Sequence, residues 1–243
     1  MARLGEVHIG TSGWHYKHWR GPFYPAELPA AKWFAYYQQH FDTVEINNSF
    51  YRLPAETTFD AWRENSAADF RYAVKGSRFL THMKKLKDPH AGLANFLPRV
   101  ERLREKLAVI LFQLPPFWEV DLARLEIFLG ALPRTHRYCF ELRNASWLTP
   151  AVYGLLRRFN AAFCVYELAG FHSDFEITAD FTYVRLHGPA GKYAGSYAGE
   201  ALETWAERIR HWQKELRAVY VYFDNDQAAY AAQNALTLRS FLS

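Results

Sequence analysis

Eight short β runs alternate with helical patterns across 243 residues, which predicts an α/β chain folded as a single (β/α)8 TIM-type barrel over residues 1–243. The connections are lopsided. Segments that follow β runs are long (Trp14–Glu27, Ser77–Ala91, Pro189–Glu200), and those leading into them are short (Asp42, Asp69-Phe70, Asn160). Long loops gathered at the C-terminal face belong to a barrel decorated at one end. A doubly wound open sheet is the competing architecture. Against it, Gly10-Thr11-Ser12-Gly13-Trp14 after the first run does not fit the G-x-G-x-x-G fingerprint.

The β runs are Val7–Gly13, Thr43–Phe50, Arg71–Gly76, Ala108–Leu114, Arg137–Arg143, Ala161–Glu167, Thr182–Gly188 and Ala218–Asp224, each apolar at every second position or throughout. Asn95 is expected to cap a helix, with Pro98 tolerated in its first turn. Asp121 caps a helix carrying Leu122, Leu125, Phe128, Leu129 and Leu132, and Thr149-Pro150 starts another. Leu202, Trp205, Ile209, Trp212 and Leu216 keep helical spacing. The pattern over Ala169–Ala179 supports a helix poorly, and the segment reads largely as loop.

Half of the residues are hydrophobic and 22% are charged, ample for a large core. The net charge of +4 permits anionic ligands without demanding nucleic acid. Aromatics reach 17%, with eight tryptophans, so some of them are expected at surfaces or sites. No apolar run approaches the roughly 20 residues of a membrane helix, and Met1–Glu6 lacks the run of a signal peptide. Cys139 and Cys164 sit in apolar runs and read as buried reduced thiols, so a cytoplasmic location is expected.

Period two sorts each strand into a helix-facing side and an interior side. Val184 and Leu186 go outward, and Tyr183, Arg185 and His187 inward; Val219, Val221 and Phe223 go outward, and Tyr220, Tyr222 and Asp224 inward. The inward set collects Glu45, Asn47, Lys75, Gln113, Glu141, Arg143, Arg185, His187 and Asp224, with His8, Gly10 and Ser12 together on the first run. A core built for stability alone would place Val, Ile and Leu there. Charges that costly point to a site at the C-terminal strand ends or to an internal ion network.

Gly10-Thr11-Ser12-Gly13-Trp14-His15-Tyr16 with Trp19-Arg20-Gly21-Pro22-Phe23-Tyr24-Pro25 resembles the opening motif of the YecE-like family, domain of unknown function 72. Thr43-Val44-Glu45-Ile46-Asn47, Phe50-Tyr51-Arg52-Leu53-Pro54, Leu111-Phe112-Gln113-Leu114-Pro115-Pro116, Phe140-Glu141-Leu142-Arg143, Tyr183-Val184-Arg185-Leu186-His187-Gly188 and Tyr222-Phe223-Asp224-Asn225-Asp226 are similar to its further motifs, as is Lys75 with Arg78-Phe79-Leu80-Thr81-His82. The resemblance implies a TIM-type barrel and no particular reaction.

The residues support acid–base chemistry on a small polar or anionic ligand of the sugar or sugar phosphate class. Glu45, Lys75, Glu141, His187 and Asp224 are the proposed acids and bases; Asn47, Gln113, Arg143 and Arg185 are the ligand-holding groups. Trp14, Tyr51, Trp147 and Tyr193 frame the mouth, with Tyr16, Trp19, Phe50 and Tyr197 beside them. Hydrolase, lyase and isomerase all stay open, as does a Schiff base on Lys75. The glutamates that end strands four and seven in one common clan of barrel glycosidases are absent, since Gln113 and His187 stand there. No metal or cofactor is indicated: H-E-x-x-H and Cys-rich spacings are lacking, and Lys75, Arg143 and Arg185 would repel a cation. Gly188–Gly195, glycine-rich and carrying Lys192, reads as a flexible turn or a phosphate loop. Two other classes remain: a nucleic-acid binder using Lys84, Lys85 and Lys87 with the mouth aromatics, and a ligand-binding barrel without catalysis.

Overall fold

The computed structural model describes residues 4–243; Met1–Arg3, the start of the stretch read above for a signal peptide, lie outside the described residues. The strands are β1 (Glu6–Thr11), β2 (Thr43–Ile46), β3 (Arg71–Lys75), β4 (Leu107–Gln113), β5 (Tyr138–Glu141), β6 (Ala162–Leu168), β7 (Phe171–His172), β8 (Phe181–Leu186) and β9 (Ala218–Phe223). The helices are α1 (Trp33–Tyr37), α2 (Asn48–Tyr51), α3 (Glu56–Glu64), α4 (Pro89–Val100), α5 (Leu122–Ala131), α6 (Pro150–Arg158), α7 (Gly199–Glu215) and α8 (Tyr230–Leu242).

The strand order is β1-β9-β8-β6-β5-β4-β3-β2, with β7 paired to β6 off this path. The β1–β9, β8–β9, β3–β4, β4–β5 and β5–β6 ladders are parallel. Ser12, just past β1, bridges Glu45 of β2 in parallel, and Gly13 N–H donates to the Glu45 carbonyl at 2.9 Å. This is the α/β TIM-type barrel that the sequence predicts. Seven strand ends fall within two residues of the expected ones, and β2 is the exception.

β2 stops at Ile46 rather than Phe50, because Asn47 already has helical backbone angles. Ser49 Oγ donates to the Ile46 carbonyl at 3.2 Å and to the Lys75 carbonyl at 2.6 Å. Short polar side chains that capture nearby carbonyls compete with the ladder, and Asn48–Tyr51 turns into α2. The Asn95 cap is also corrected. Pro89 opens α4 after Asp88, which places Asn95 and Pro98 inside the helix. Pro98 lies in the last turn, where helix termination is near and few bonds are lost. Over Ala169–Ala179 no helix forms. Ala169 and Gly170 both have positive φ (53° and 80°) and make the two-residue turn of the β6–β7 hairpin.

The capping signals hold for α5 and α6. Asp121 Oδ1 accepts from Arg124 N at 3.0 Å, and Thr149 Oγ1 accepts from Val152 N at 3.4 Å. α7 buries Leu202, Trp205, Ile209 and Trp212 along the predicted stripe. Cys139 and Cys164 are buried thiols. Among the described residues, no helix is long and apolar enough to cross a membrane.

The chain packs as two compact units. The first holds the described residues up to Glu45, Val165–Phe175 and Asp180–Ser243; the second holds Ile46–Cys164 and Glu176–Ala179. Inside the first, Tyr183 packs on Tyr222 (5.0 Å between ring centroids), and the Tyr222 hydroxyl meets Thr43 Oγ1 at 2.7 Å. In the second, Phe112 of β4 packs against Phe128 of α5 at 5.0 Å, so its neighbour Gln113 takes the opposite side of the strand.

Candidate functional site

The first unit carries a closed ionic cluster. Alternation on β8 points Tyr183 and Arg185 inward, and His187 continues the row past the strand. Arg185 and Glu45 both have no solvent exposure. Arg185 Nε donates to Glu45 Oε2 at 2.9 Å and Nη2 to Oε1 at 2.7 Å, a two-point pairing. The Tyr183 hydroxyl donates to Oε2 at 2.6 Å, and Ser12 Oγ donates to Oε1. Internal donors therefore serve both oxygens of Glu45. Burial, and then the Glu45 charge, hold the Tyr183 phenol well above the ordinary tyrosine range, so it remains a donor.

Arg185 Nη2 also donates to Asp224 Oδ2 at 3.0 Å, and the same oxygen lies 3.1 Å from His187 Nδ1. With the proton on Nδ1, His187 donates to Asp224, and its Nε2 accepts from Arg185 Nη1 at 3.4 Å. Asp224 is the member nearest solvent, with 15% of its side chain exposed. Next along the chain, Asp226 accepts from the Trp19 indole N–H and lies 3.0 Å from His18 Nε2; burial raises its carboxyl despite both partners.

The Gly188–Gly195 loop is built onto this cluster. Gly188 has φ of 110°, and a Cβ there would fall 2.3 Å from the Ala194 carbonyl oxygen, so glycine is required. Its N–H donates to the Tyr197 hydroxyl at 3.0 Å, and Asn225 Nδ2 donates to the Gly195 carbonyl at 2.9 Å. The loop sets Tyr193 edge-on to His187, 5.6 Å between ring centroids. Lys192 Nζ lies over the Tyr193 ring at 5.4 Å.

The second unit gathers a different set. Lys75, the last residue of β3, is buried, with Nζ over the Phe50 ring at 4.6 Å. Glu141 ends β5 with no exposure and accepts from Arg143 Nε at 2.6 Å. Gln113 is its register partner on β4; it is buried, and its Oε1 has no hydrogen-bond partner. His82 meets Thr81 Oγ1 at 2.9 Å and the Phe50 ring edge-on at 5.0 Å. Burial first, then the charges of Lys75, Arg78 and Arg143, hold His82 below the ordinary histidine range, with Glu141 acting in the opposite sense.

The structure distributes the sequence-selected residues as follows. Glu45, Arg185, His187, Asp224 and Tyr193 come together in the first unit, where Trp14 is half-buried against Phe34. Lys75, Gln113, Glu141 and Arg143 belong to the second, where Asn47 is half-buried directly before α2 and Tyr51 is 74% exposed. Trp147 is fully buried, and its indole N–H is donated to the Trp118 carbonyl at 2.7 Å. Sequence reading left Ser12, Tyr183, Arg78 and His82 off the site. Period two had already placed Ser12 and Tyr183 inward, but hydroxyls carry little weight beside charges; Arg78 precedes and His82 lies in a single π-helical turn, Phe79–Met83, too short for a periodicity to show.

Fold and polar groups together define an α/β barrel whose strand ends bear ionisable side chains. The family model described as "Protein of unknown function DUF72" matches residues 8–243. The chain belongs to that family. It is similar to UPF0759 protein YunF of Bacillus subtilis, 24% identical over 275 residues that cover 97% of this chain and 94% of YunF. UPF0759 protein YecE of Escherichia coli K12 is 32% identical over 109 residues, 44% of this chain and 40% of YecE. A crystal structure of a DUF72 family protein from Thermotoga maritima aligns with TM-score 0.89 at 28% identity, covering 98% of this chain and 99% of that one. A DUF72 family protein from Enterococcus faecalis shares the fold at TM-score 0.83 and 17% identity, covering 97% and 95%.

Proposed function

We propose that this barrel is an enzyme that handles a small anionic, polar molecule of the sugar phosphate or sugar acid kind. The observation that carries the reading is the gathering of cations near the strand ends of the second unit: Lys75, Arg78 and Arg143 all act on His82 and hold its imidazole below the ordinary range. Cations that converge from separate segments suit an anionic ligand. Gln113, whose carbonyl oxygen lacks a partner, suits a hydroxyl donor on that ligand.

The first unit holds its own acid–base pair, Asp224 and His187. Asp224 reaches solvent, and His187 is fixed in one tautomer by Asp224 and Arg185. Glu45 and Arg185, the former placed among the acids and bases by sequence and the latter among the ligand-holding groups, act instead as positioning residues, since each is taken up by the other.

Thermal-shift screening of sugar phosphates, sugar acids and their neutral parent sugars tests the reading. The anionic members should raise Tm and the neutral ones should not, and Arg143→Gln with Lys75→Met should abolish the shift. Equal shifts for charged and neutral members would refute anion recognition. Once turnover is found, Asp224→Asn should remove it with the fold intact; unchanged turnover would exclude Asp224 from the chemistry.

A second reading rests on the exposed loop beside α2. Tyr51 (74% exposed), Met83 (67%) and Phe79 (42%) stand out with Lys84 and Lys85. Exposed rings interleaved with lysines suit single-stranded nucleic acid. Binding of an oligonucleotide at low salt, lost in a Lys84→Ala, Lys85→Ala variant, would favour it.

A further inference from the structure

A cavity of about 250 Å³ opens in the second unit at the other end of the strands, where β5 and β6 begin. Leu129 and Leu132 from the end of α5 and Phe159 from the end of α6 form its apolar walls. Its polar lining is Arg134, His136 and Tyr138. None of these residues belongs to the clusters described above.

Among the described residues, the Tyr138 hydroxyl has no hydrogen-bond partner and Arg134 has no ion-pair partner. The Tyr138 hydroxyl is buried and has no hydrogen-bond partner, in a residue only 6% exposed. Burial and the nearby Glu101 raise the phenol above its ordinary range, so it keeps its proton and serves as a donor. Arg134 forms no ion pair among the described residues; its guanidinium lies over the Phe159 ring at 4.8 Å. His136, in contrast, is held by Glu101 through Nε2 at 2.8 Å, and its ring stands edge-on to Tyr138.

A buried donor with no acceptor is uncommon and calls for an explanation. A carboxylate supplies one, since it accepts from a phenol and from a guanidinium at the same time. The apolar walls call for a flat or short apolar body behind that carboxylate. The volume lies below the range of drug-sized pockets, so the molecule is small. The C-terminal ends of α5 and α6 bring partial negative charge to the same end, and Arg134 opposes it, Arg158 being paired with Glu126.

We infer that this cavity is a second ligand site, taking a small carboxylate with an aromatic or short aliphatic body, gripped by Arg134 and Tyr138 between Leu129, Leu132 and Phe159. It stands apart from the function proposed above and does not depend on it.

Benzoate, benzamide and acetate, titrated against the whole protein by ligand-observed NMR, test the site. Benzoate should bind at least about fivefold tighter than either of the others, since benzamide lacks the charge and acetate the ring. Arg134→Ala, on the surface, should weaken benzoate by about fivefold or more. Tyr138→Phe should also weaken it, while melting no lower than the wild type, because it removes a hydroxyl that has no partner. Asp224→Asn should leave benzoate binding unchanged. Benzoate that binds no better than benzamide, is indifferent to both pocket substitutions, or fails to saturate below about 20 mM overturns the assignment.

Discussion

The two units arrange buried charge differently. In the first, Arg185 has no exposure, and Glu45, Asp224, Ser12 and His187 surround its guanidinium. In the second, Lys75 rests on an aromatic face, Arg143 pairs with Glu141, and Gln113 keeps an oxygen without a partner. Glu45 and Arg185 are tied to each other at two points and set geometry, whereas Gln113 keeps an acceptor to spare. The same sequence signal, a polar side chain on the inward face of a strand, therefore arises from two different arrangements.

The largest effect is expected where saturation is broken. Glu45→Gln removes the fully buried one of two carboxylates that face the Arg185 guanidinium, leaving Asp224, and should cost about 3–5 kcal/mol in urea unfolding. A loss under about 1 kcal/mol would show that Arg185 does not rely on Glu45.

Next comes the pH dependence of anion binding in the second unit, probed with sulfate, which does not titrate in this range. His82 is depressed by burial and then by its cationic neighbours Lys75, Arg78 and Arg143. A bound anion relieves part of that, so His82 takes up a proton on binding, and affinity rises as pH falls toward and below the ordinary histidine value. Sulfate should bind up to about tenfold tighter at pH 6 than at pH 8 by calorimetry, and His82→Asn should flatten the profile. A flat profile in the wild type would uncouple His82 from the anion.

A smaller effect tests the exception within the first unit. Glu167 is buried with weak partners, Trp205 Nε1 at 3.4 Å and His172 Nε2 at 3.9 Å, and burial raises its carboxyl. The folded state holds that proton more firmly than the unfolded one. Its stability contribution is therefore full below the ordinary carboxylate value and is lost as pH rises through the higher folded value. Glu167→Gln should raise Tm at pH 8 by about 2–4 °C and change little at pH 4. A larger gain at pH 4 than at pH 8 would reverse the assigned direction.

The smallest effect belongs to Gln113. Replacement by Met removes an oxygen without a partner at similar volume, so stability should stay within about 1 kcal/mol of the wild type or rise. A loss beyond about 2 kcal/mol would reveal bonds through the amide nitrogen that outweigh the idle oxygen.

Much of this architecture was legible in the chain. Alternation in Tyr183-Val184-Arg185-Leu186 predicted which side each residue takes, because side chains on a strand must alternate. The stripe Leu202, Trp205, Ile209 and Trp212 and the Asp121 and Thr149 caps predicted helices where they stand. Misreadings occurred where local hydrogen bonding competes with period. Thr43–Asn47 alternates and Phe50 resumes the apolar side, yet Ser49 captures carbonyls and the chain turns after Ile46. Asn95 looked like a cap only because the earlier start at Asp88-Pro89 carries fewer apolar residues.

Sequence by itself determined the barrel class, the inward placement of the charged residues and the burial of both cysteines, since these follow from periodicities of one strand or helix at a time. Which charges meet was decided by the tertiary structure alone. Glu45 and Arg185 are 140 positions apart, and only strand order and register place a carboxylate across the guanidinium. Whether a buried charge is answered by another depends on distances between separate elements, and one-dimensional spacing carries no record of those.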